Sequence, residues 1–108
     1  MLRIYSVAVE MCRDAAIVAK LIEKHDRDLA CQLRRAATSV VLNIAEGSGS
    51  FGGNRKQRYH SAMGSAYEVR ACFDSAQAMQ YVEAIDEGVR ERTALVVNTL
   101  IKVLGLRR

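Results

Sequence analysis

The sequence predicts an all-α protein, one domain folded as an up-down-up-down antiparallel four-helix bundle across residues 1–108. Three observations predict it. Proline is absent from all 108 residues, and long helices exclude proline because it removes a donor and clashes with the preceding turn. Half of the residues are hydrophobic but only 6% are aromatic and none is Trp. The apolar material is therefore Ala, Val, Leu, Ile and Met, which suits close helix–helix contact better than a sheet sandwich. Apolar residues also recur at spacings of three and four, the period of a helix face. The length suffices for one domain and not for two.

The first helix is expected from about Leu2 to Lys24, with Ile4, Val7, Met11, Ala15, Val18 and Ile22 on its apolar face. Tyr5, Ala8, Cys12, Ala16 and Ala19 widen that stripe, while Arg13, Asp14, Lys20 and Glu23 fall mainly outside it. The polar break His25–Asp28 follows, in which Asp26 or Asp28 can cap the next helix by accepting a bond from a free amide. The second helix is expected from about Leu29 to Glu46, with Leu33, Ala36, Ala37, Val40, Val41 and Ile44 facing inward.

Gly47-Ser48-Gly49-Ser50-Phe51-Gly52-Gly53 is expected to end that helix, because glycine loses the most backbone freedom on ordering. Asn54 with Gln57 reads as a capping box opening the third helix. That helix runs through Tyr59, Met63, Ala66, Val69, Phe73 and Ala76 to about Met79. After a turn near Gln80–Glu83, the fourth helix, about 84–104, carries Ile85, Val89, Val96, Leu100 and Val103 inward. Glu83, Asp86 and Glu87 stand in its first turn, where the helix dipole favours negative charge. Gly105 followed by Leu106 reads as its C-terminal cap. Short connections between helices of about 30 Å make consecutive helices antiparallel neighbours.

Catalytic and metal chemistry find little support. A di-metal carboxylate bundle needs two Glu-x-x-His pairs, yet Ile22 and Gln57 stand three residues before His25 and His60. No cysteine is sequence-local to either histidine, and Cys12, Cys31 and Cys72 sit among apolar helical neighbours, where free cysteine behaves as a small hydrophobe. Gly47–Gly53 follows a helix rather than a strand and lacks the Lys-Ser or Lys-Thr of a phosphate loop. Neither a metal nor a cofactor is expected, and the protein reads as not an enzyme. Arg3, Glu10, Arg13, Asp14 and Lys20 interrupt the first 21 residues, so no secretory leader or membrane span is expected there. The cytoplasm is the expected location, with no membrane partner.

The net charge of +4 permits contact with nucleic acid without requiring it. Arg34 and Arg35 lie mid-helix, Arg55, Lys56 and Arg58 open the third helix, and Lys102, Arg107 and Arg108 close the chain. Cations near a helix C-terminus follow from the dipole, but Arg55, Lys56 and Arg58 stand where it disfavours them. Either carboxylates or a polyanion must offset that placement. Arg34, Arg35, Arg55, Lys56, Arg58 and Tyr59 are the candidate nucleic-acid residues, with Tyr59 either stacking on a base or packed in the core. Arg35, Ser39, Asn43 and Glu46 follow helical spacing on the second helix, and Glu68 lies among apolar residues of the third. Buried charges persist only when paired, so Arg35, Asn43, Glu46 and Glu68 are expected to share a polar network within the bundle or between subunits. The first helix is apolar or small over more than half its circumference, more than one bundle seam uses, which predicts self-association.

The run from Gln32 to Gly49, QLRRAATSVVLNIAEGSG, resembles the hallmark segment of a bacterial family of four-helix bundle proteins found as reading frames within 23S rRNA intervening sequences. Leu2-Arg3-Ile4-Tyr5 and Ala62-Met63-Gly64-Ser65-Ala66-Tyr67-Glu68 resemble its other two motifs. The resemblance implies a bundle, often assembled as a ring-shaped homopentamer. It also implies kinship with accessory proteins of diversity-generating retroelements, which engage a reverse transcriptase and its nucleic acids. Arg34, Arg35, Asn43, Glu46 and Gly47 match the family's most characteristic segment. The chain departs from the pattern where Val41-Leu42 replaces the usual proline, and where Lys56-Gln57-Arg58-Tyr59 replaces an acidic-aromatic run. The function so implied is an oligomeric accessory protein that binds RNA or DNA; a protein-interaction scaffold without nucleic-acid contact is the alternative.

Overall fold

The structure, a computed structural model, describes residues 2–106 and contains four helices among them: α1 (Ile4–Glu23), α2 (Arg27–Ser48), α3 (Gly52–Ala78) and α4 (Glu87–Val103). Each helix packs on its neighbours in sequence, and α4 closes the bundle against α1; the most extensive contact is α2 on α3. The assembly measures 42 × 23 × 20 Å, the proportions of helices lying side by side. Two alternations of direction place the α2–α3 turn at the same end as the start of α1 and the finish of α4.

The core is built from the expected stripes. Ile4, Met11, Ala15, Val18 and Ile22 of α1 and Leu33, Ala36, Ala37, Val40 and Ile44 of α2 are buried, with Val69, Phe73 and Ala76 of α3. Alanine recurs at the contacts (Ala8, Ala19, Ala30, Ala62, Ala66), which lets neighbouring backbones approach closely while Phe73, Met11 and Leu100 fill the wider spaces. In α4 the buried face is Val89, Thr93, Val96, Val97, Leu100 and Ile101. Val103, expected inside, is exposed instead: it follows Leu100 at helical spacing but is the last residue of α4. Buried Thr93 keeps its hydroxyl satisfied by donating to the Val89 carbonyl at 3.0 Å.

Caps decide the boundaries. Asp26 caps α2 by accepting from the Leu29 amide at 2.9 Å, so the helix starts two residues before Leu29. Asp86 caps α4 through the Gly88 amide at 3.0 Å, which leaves Glu87 as the acid of the first turn. At the far end of α4, Gly105 has φ +69° and the Leu106 amide donates to Ile101 at 3.0 Å. This is the expected glycine cap, a Schellman motif. The same device ends α3 with Gln80 at φ +62°, a left-handed conformation unusual for a residue with a side chain.

The glycine-rich segment differs from expectation. Gly47 and Ser48 belong to α2, Gly52 and Gly53 to α3, and only Gly49–Phe51 connect them. The capping box is not formed: α3 begins two residues before Asn54, and its N-cap position is Phe51. Helix hydrogen bonding continues through Gly47 because the α2–α3 contact holds it there, and tertiary packing outweighs intrinsic propensity.

Candidate nucleic-acid interface

The α2–α3 face carries a polar seam that opens into a groove of about 470 Å³ lined by Arg34, Arg35, Ser39, Asn43, Glu46 and Arg58, among others. It exists because Arg35, Ser39, Asn43 and Glu46 recur at helical spacing beside the apolar face of α2. Asn43 Nδ2 donates to the Ser39 carbonyl at 2.9 Å and to Ser39 Oγ at 3.1 Å, and Ser39 Oγ lies 2.8 Å from Ser65 Oγ of α3. One turn on, Arg58 pairs with Glu46 at 3.0 Å. Leu42, 54% exposed, is the apolar member of the groove lining.

Within one chain, the four residues expected to share a network are not joined to one another among the described residues. Asn43 joins the two serines and Glu46 joins Arg58. Arg35 lines the groove without a carboxylate within 4.0 Å, and Glu68 is exposed without a cation within that distance, among the described residues. The sequence singled out the correct stripe on α2 but not its partners, because Ser65 and Arg58 are set by the register of α3 against α2.

The candidate cations divide in the same way. Arg34 is held by Glu23 at 2.9 Å and Arg58 by Glu46, so both are locally neutralised. Arg55 and Lys56 are exposed and have no carboxylate within 4.0 Å among the described residues. Arg55 Nε donates to the Ser50 carbonyl at 3.0 Å, and its guanidinium carbon lies 5.9 Å from the Phe51 ring centroid. Arg3 and Lys102 lie at this same end of the bundle; Arg107 and Arg108 lie outside the described residues. The opposite end holds Asp26, Asp28, Asp86 and Glu87 in its two helix starts, interleaved there with Lys20, Lys24 and Arg27.

Tyr59 is a correction. At 5% exposure it is a core residue, its ring against the Gly47 backbone and its hydroxyl 3.4 Å from Ser48 Oγ, so it offers no face to a base. The exposed aromatic of this region is Phe51, which sequence reasoning passed over as part of a glycine linker. An aromatic flanked by glycines and followed by cations is the signal that marks it.

The cysteines differ from one another. Cys72 is buried in the core and half-buried Cys12 packs against it, as expected of small hydrophobes, whereas Cys31 is exposed, contrary to that expectation. Burial pushes the Cys72 thiol up, and the Glu68 charge adds to the shift, the reverse of what activates a nucleophilic thiolate. No group of three or more His, Cys, Asp or Glu side chains gathers into a metal-binding cluster among the described residues. No helix there is long and apolar enough to cross a membrane.

A four-helix bundle with a polar α2–α3 seam and a basic turn at one end defines an all-α helical-bundle class of protein. Within that class, the chain belongs to the family of the 23S rRNA-intervening sequence protein, whose family model matches residues 1–102. Its fold is similar to that of a protein of unknown function from the S23 ribosomal protein family of Bacteroides thetaiotaomicron, with a TM-score of 0.83. The two are 16% identical, with 94% of this chain and 97% of that one covered, a likeness of fold alone. No curated protein matches the chain.

Proposed function

We propose that this protein is a non-enzymatic, oligomeric accessory protein of the cytoplasm that binds nucleic acid, RNA or DNA, through basic patches. The observation that carries the reading is the pair Arg55 and Lys56, exposed at a helix start without a neighbouring carboxylate. The dipole disfavours cations there, and a phosphate backbone supplies the missing counter-charge. Arg34 and Arg58 add to the patch, since exposed ion pairs are worth only about 0–1 kcal/mol and exchange readily for phosphate. Repetition of a weak patch around an oligomer turns modest contacts into useful avidity.

Self-association is supported by Ile17 and Leu21 of α1, 59% and 51% exposed beside an apolar cleft formed with Val82, Ile85 and Val89. A homopentamer is the assembly the family resemblance implies. Light scattering at micromolar concentration is expected to give an oligomer that Leu21→Glu dissociates; a monomeric wild type removes this part of the proposal.

Nucleic-acid binding is tested by fluorescence anisotropy with structured RNA, single-stranded DNA and duplex DNA across a salt series. Affinity is expected to fall steeply with salt. The Arg55, Lys56, Arg58 triple alanine variant is expected to show a shallower slope, by about one for each phosphate no longer neutralised. Absence of binding at low salt refutes the reading.

The pairing of Arg34 with Glu23 and of Arg58 with Glu46 favours a second reading, a protein-interaction scaffold, in which a partner such as a reverse transcriptase docks over Leu42. It predicts partner capture that survives the triple alanine substitution and is lost in Leu42→Asp.

A further inference from the structure

Phe51 is 83% exposed, the highest value among the exposed large hydrophobic side chains of the described residues. Single exposed apolar residues are ordinary, but this one occupies the N-cap of a 27-residue helix. That position favours Ser, Thr, Asp or Asn, whose side chain accepts a first-turn amide. Phe51 gives up that bond and buries almost nothing in return, so apart from a long cation contact with Arg55 the fold supplies no reason for an aromatic ring here. Its surroundings are open: a Cβ built on Gly52 or Gly53 meets no atom within 4 Å. Arg55, anchored on the Ser50 carbonyl, stands 5.9 Å from the ring centroid, and Lys56 is the next residue of α3; neither has a carboxylate within 4.0 Å among the described residues.

We infer that the α2–α3 turn binds single-stranded nucleic acid by stacking an unpaired base on the Phe51 ring, with Arg55 and Lys56 holding the flanking phosphates. The inference rests on the nucleic-acid reading above and narrows its ligand to strands with unpaired bases. An aromatic platform beside cations is the chemistry of single-strand binding: the ring accepts the π-face of any base while the cations track the backbone. A duplex keeps its bases stacked inside and gains only the phosphate contacts.

The chain contains no tryptophan, so Phe51→Trp places one reporter indole at the turn while conserving the platform. Titration with a short oligothymidylate is expected to quench that indole. A strand of the same length with abasic sugars, and a blunt duplex, are expected to bind without quenching. In parallel, Phe51→Ala is expected to weaken anisotropy-detected oligothymidylate binding about tenfold, the loss of one stacked base, and to leave duplex affinity and the salt slope unchanged. Far-ultraviolet circular dichroism and the thermal midpoint are expected to stay at wild-type values, because the ring packs on little.

Binding with no change in indole emission, and with affinity indifferent to Phe51→Ala, overturns the stacking inference while leaving phosphate contact standing. Failure of the wild type to bind any of the three probes overturns both. Dissociation of the oligomer by Phe51→Ala also overturns the inference, assigning the ring to a subunit contact.

Discussion

Gly47 of α2 presses against the ring of Tyr59 in α3: a Cβ built on Gly47 would clash with Cε1 and lie 2.7 Å from Cδ1. Gly47 is buried inside the last turn of α2, and the aromatic ring fills the space a side chain would take. The glycine of the Asn-Ile-Ala-Glu-Gly segment is thus a close-approach residue that lets α2 and α3 meet beside the turn carrying Phe51.

Gly47→Ala is therefore expected to destabilise the protein by about 1–3 kcal/mol, the cost of overpacking a filled site. The sign is informative, since alanine in a helix without this contact would stabilise by about 1 kcal/mol. Denaturant melts of Gly47→Ala in wild-type and Tyr59→Leu backgrounds check it. The double-mutant cycle is expected to recover much of the penalty once the ring is gone.

The carboxylate of Asp14 in α1 accepts from Arg92 Nε at 2.6 Å and from Nη2 at 3.0 Å, a two-point bridge to α4. The hydrogen bonds to Asp14 hold the Arg92 guanidinium in its charged form above its ordinary pKa, against the opposing effect of burial. Asp14→Asn is expected to lower stability by removing the charge behind both hydrogen bonds, an effect that solvent screening of this partly exposed pair keeps modest. Thermal melts in low and high salt check it, with a smaller difference in high salt.

Tyr81, in the α3–α4 connection, donates its hydroxyl to Asp26 Oδ2 at 3.3 Å while its ring stacks on His25 at 5.3 Å. Burial, then the Asp26 charge, then this hydrogen bond raise the phenol above its ordinary pKa of 10.0. A raised folded-state pKa means that the native chain holds the proton longer than the unfolded one. The contribution is complete below the unfolded value and is lost as pH rises through the folded one. Stability is therefore expected to fall as pH rises above about 10, and Tyr81→Phe to flatten that fall while lowering stability near neutrality. Denaturant melts of both proteins at pH 7 and across the alkaline range check the two slopes.

Much of the architecture was legible in the sequence because helix formation and amphipathicity depend on residues three and four positions apart. Ile4, Met11, Ala15 and Ile22, or Leu33, Val40 and Ile44, declare their face through that spacing. Asp26 and Gly105 announce helix ends by chemistry acting within one turn. The polar stripe Arg35–Ser39–Asn43–Glu46 on α2 was readable for the same reason, whereas the choice between base stacking and core for Tyr59 was not.

Those further questions turn on contacts between helices. Asp14 meets Arg92, Glu46 meets Arg58, and Ser39 meets Ser65 only because the full core sets the rotation and register of each helix against its neighbours. The same register draws Tyr59 inward, obliges residue 47 to be glycine, carries helix through a glycine-rich segment that local propensity would leave open, and puts Phe51 in solvent. Local spacing determined which residues form helices and which faces they bury. Tertiary packing alone decided which side chains meet across those faces and which are left for a partner.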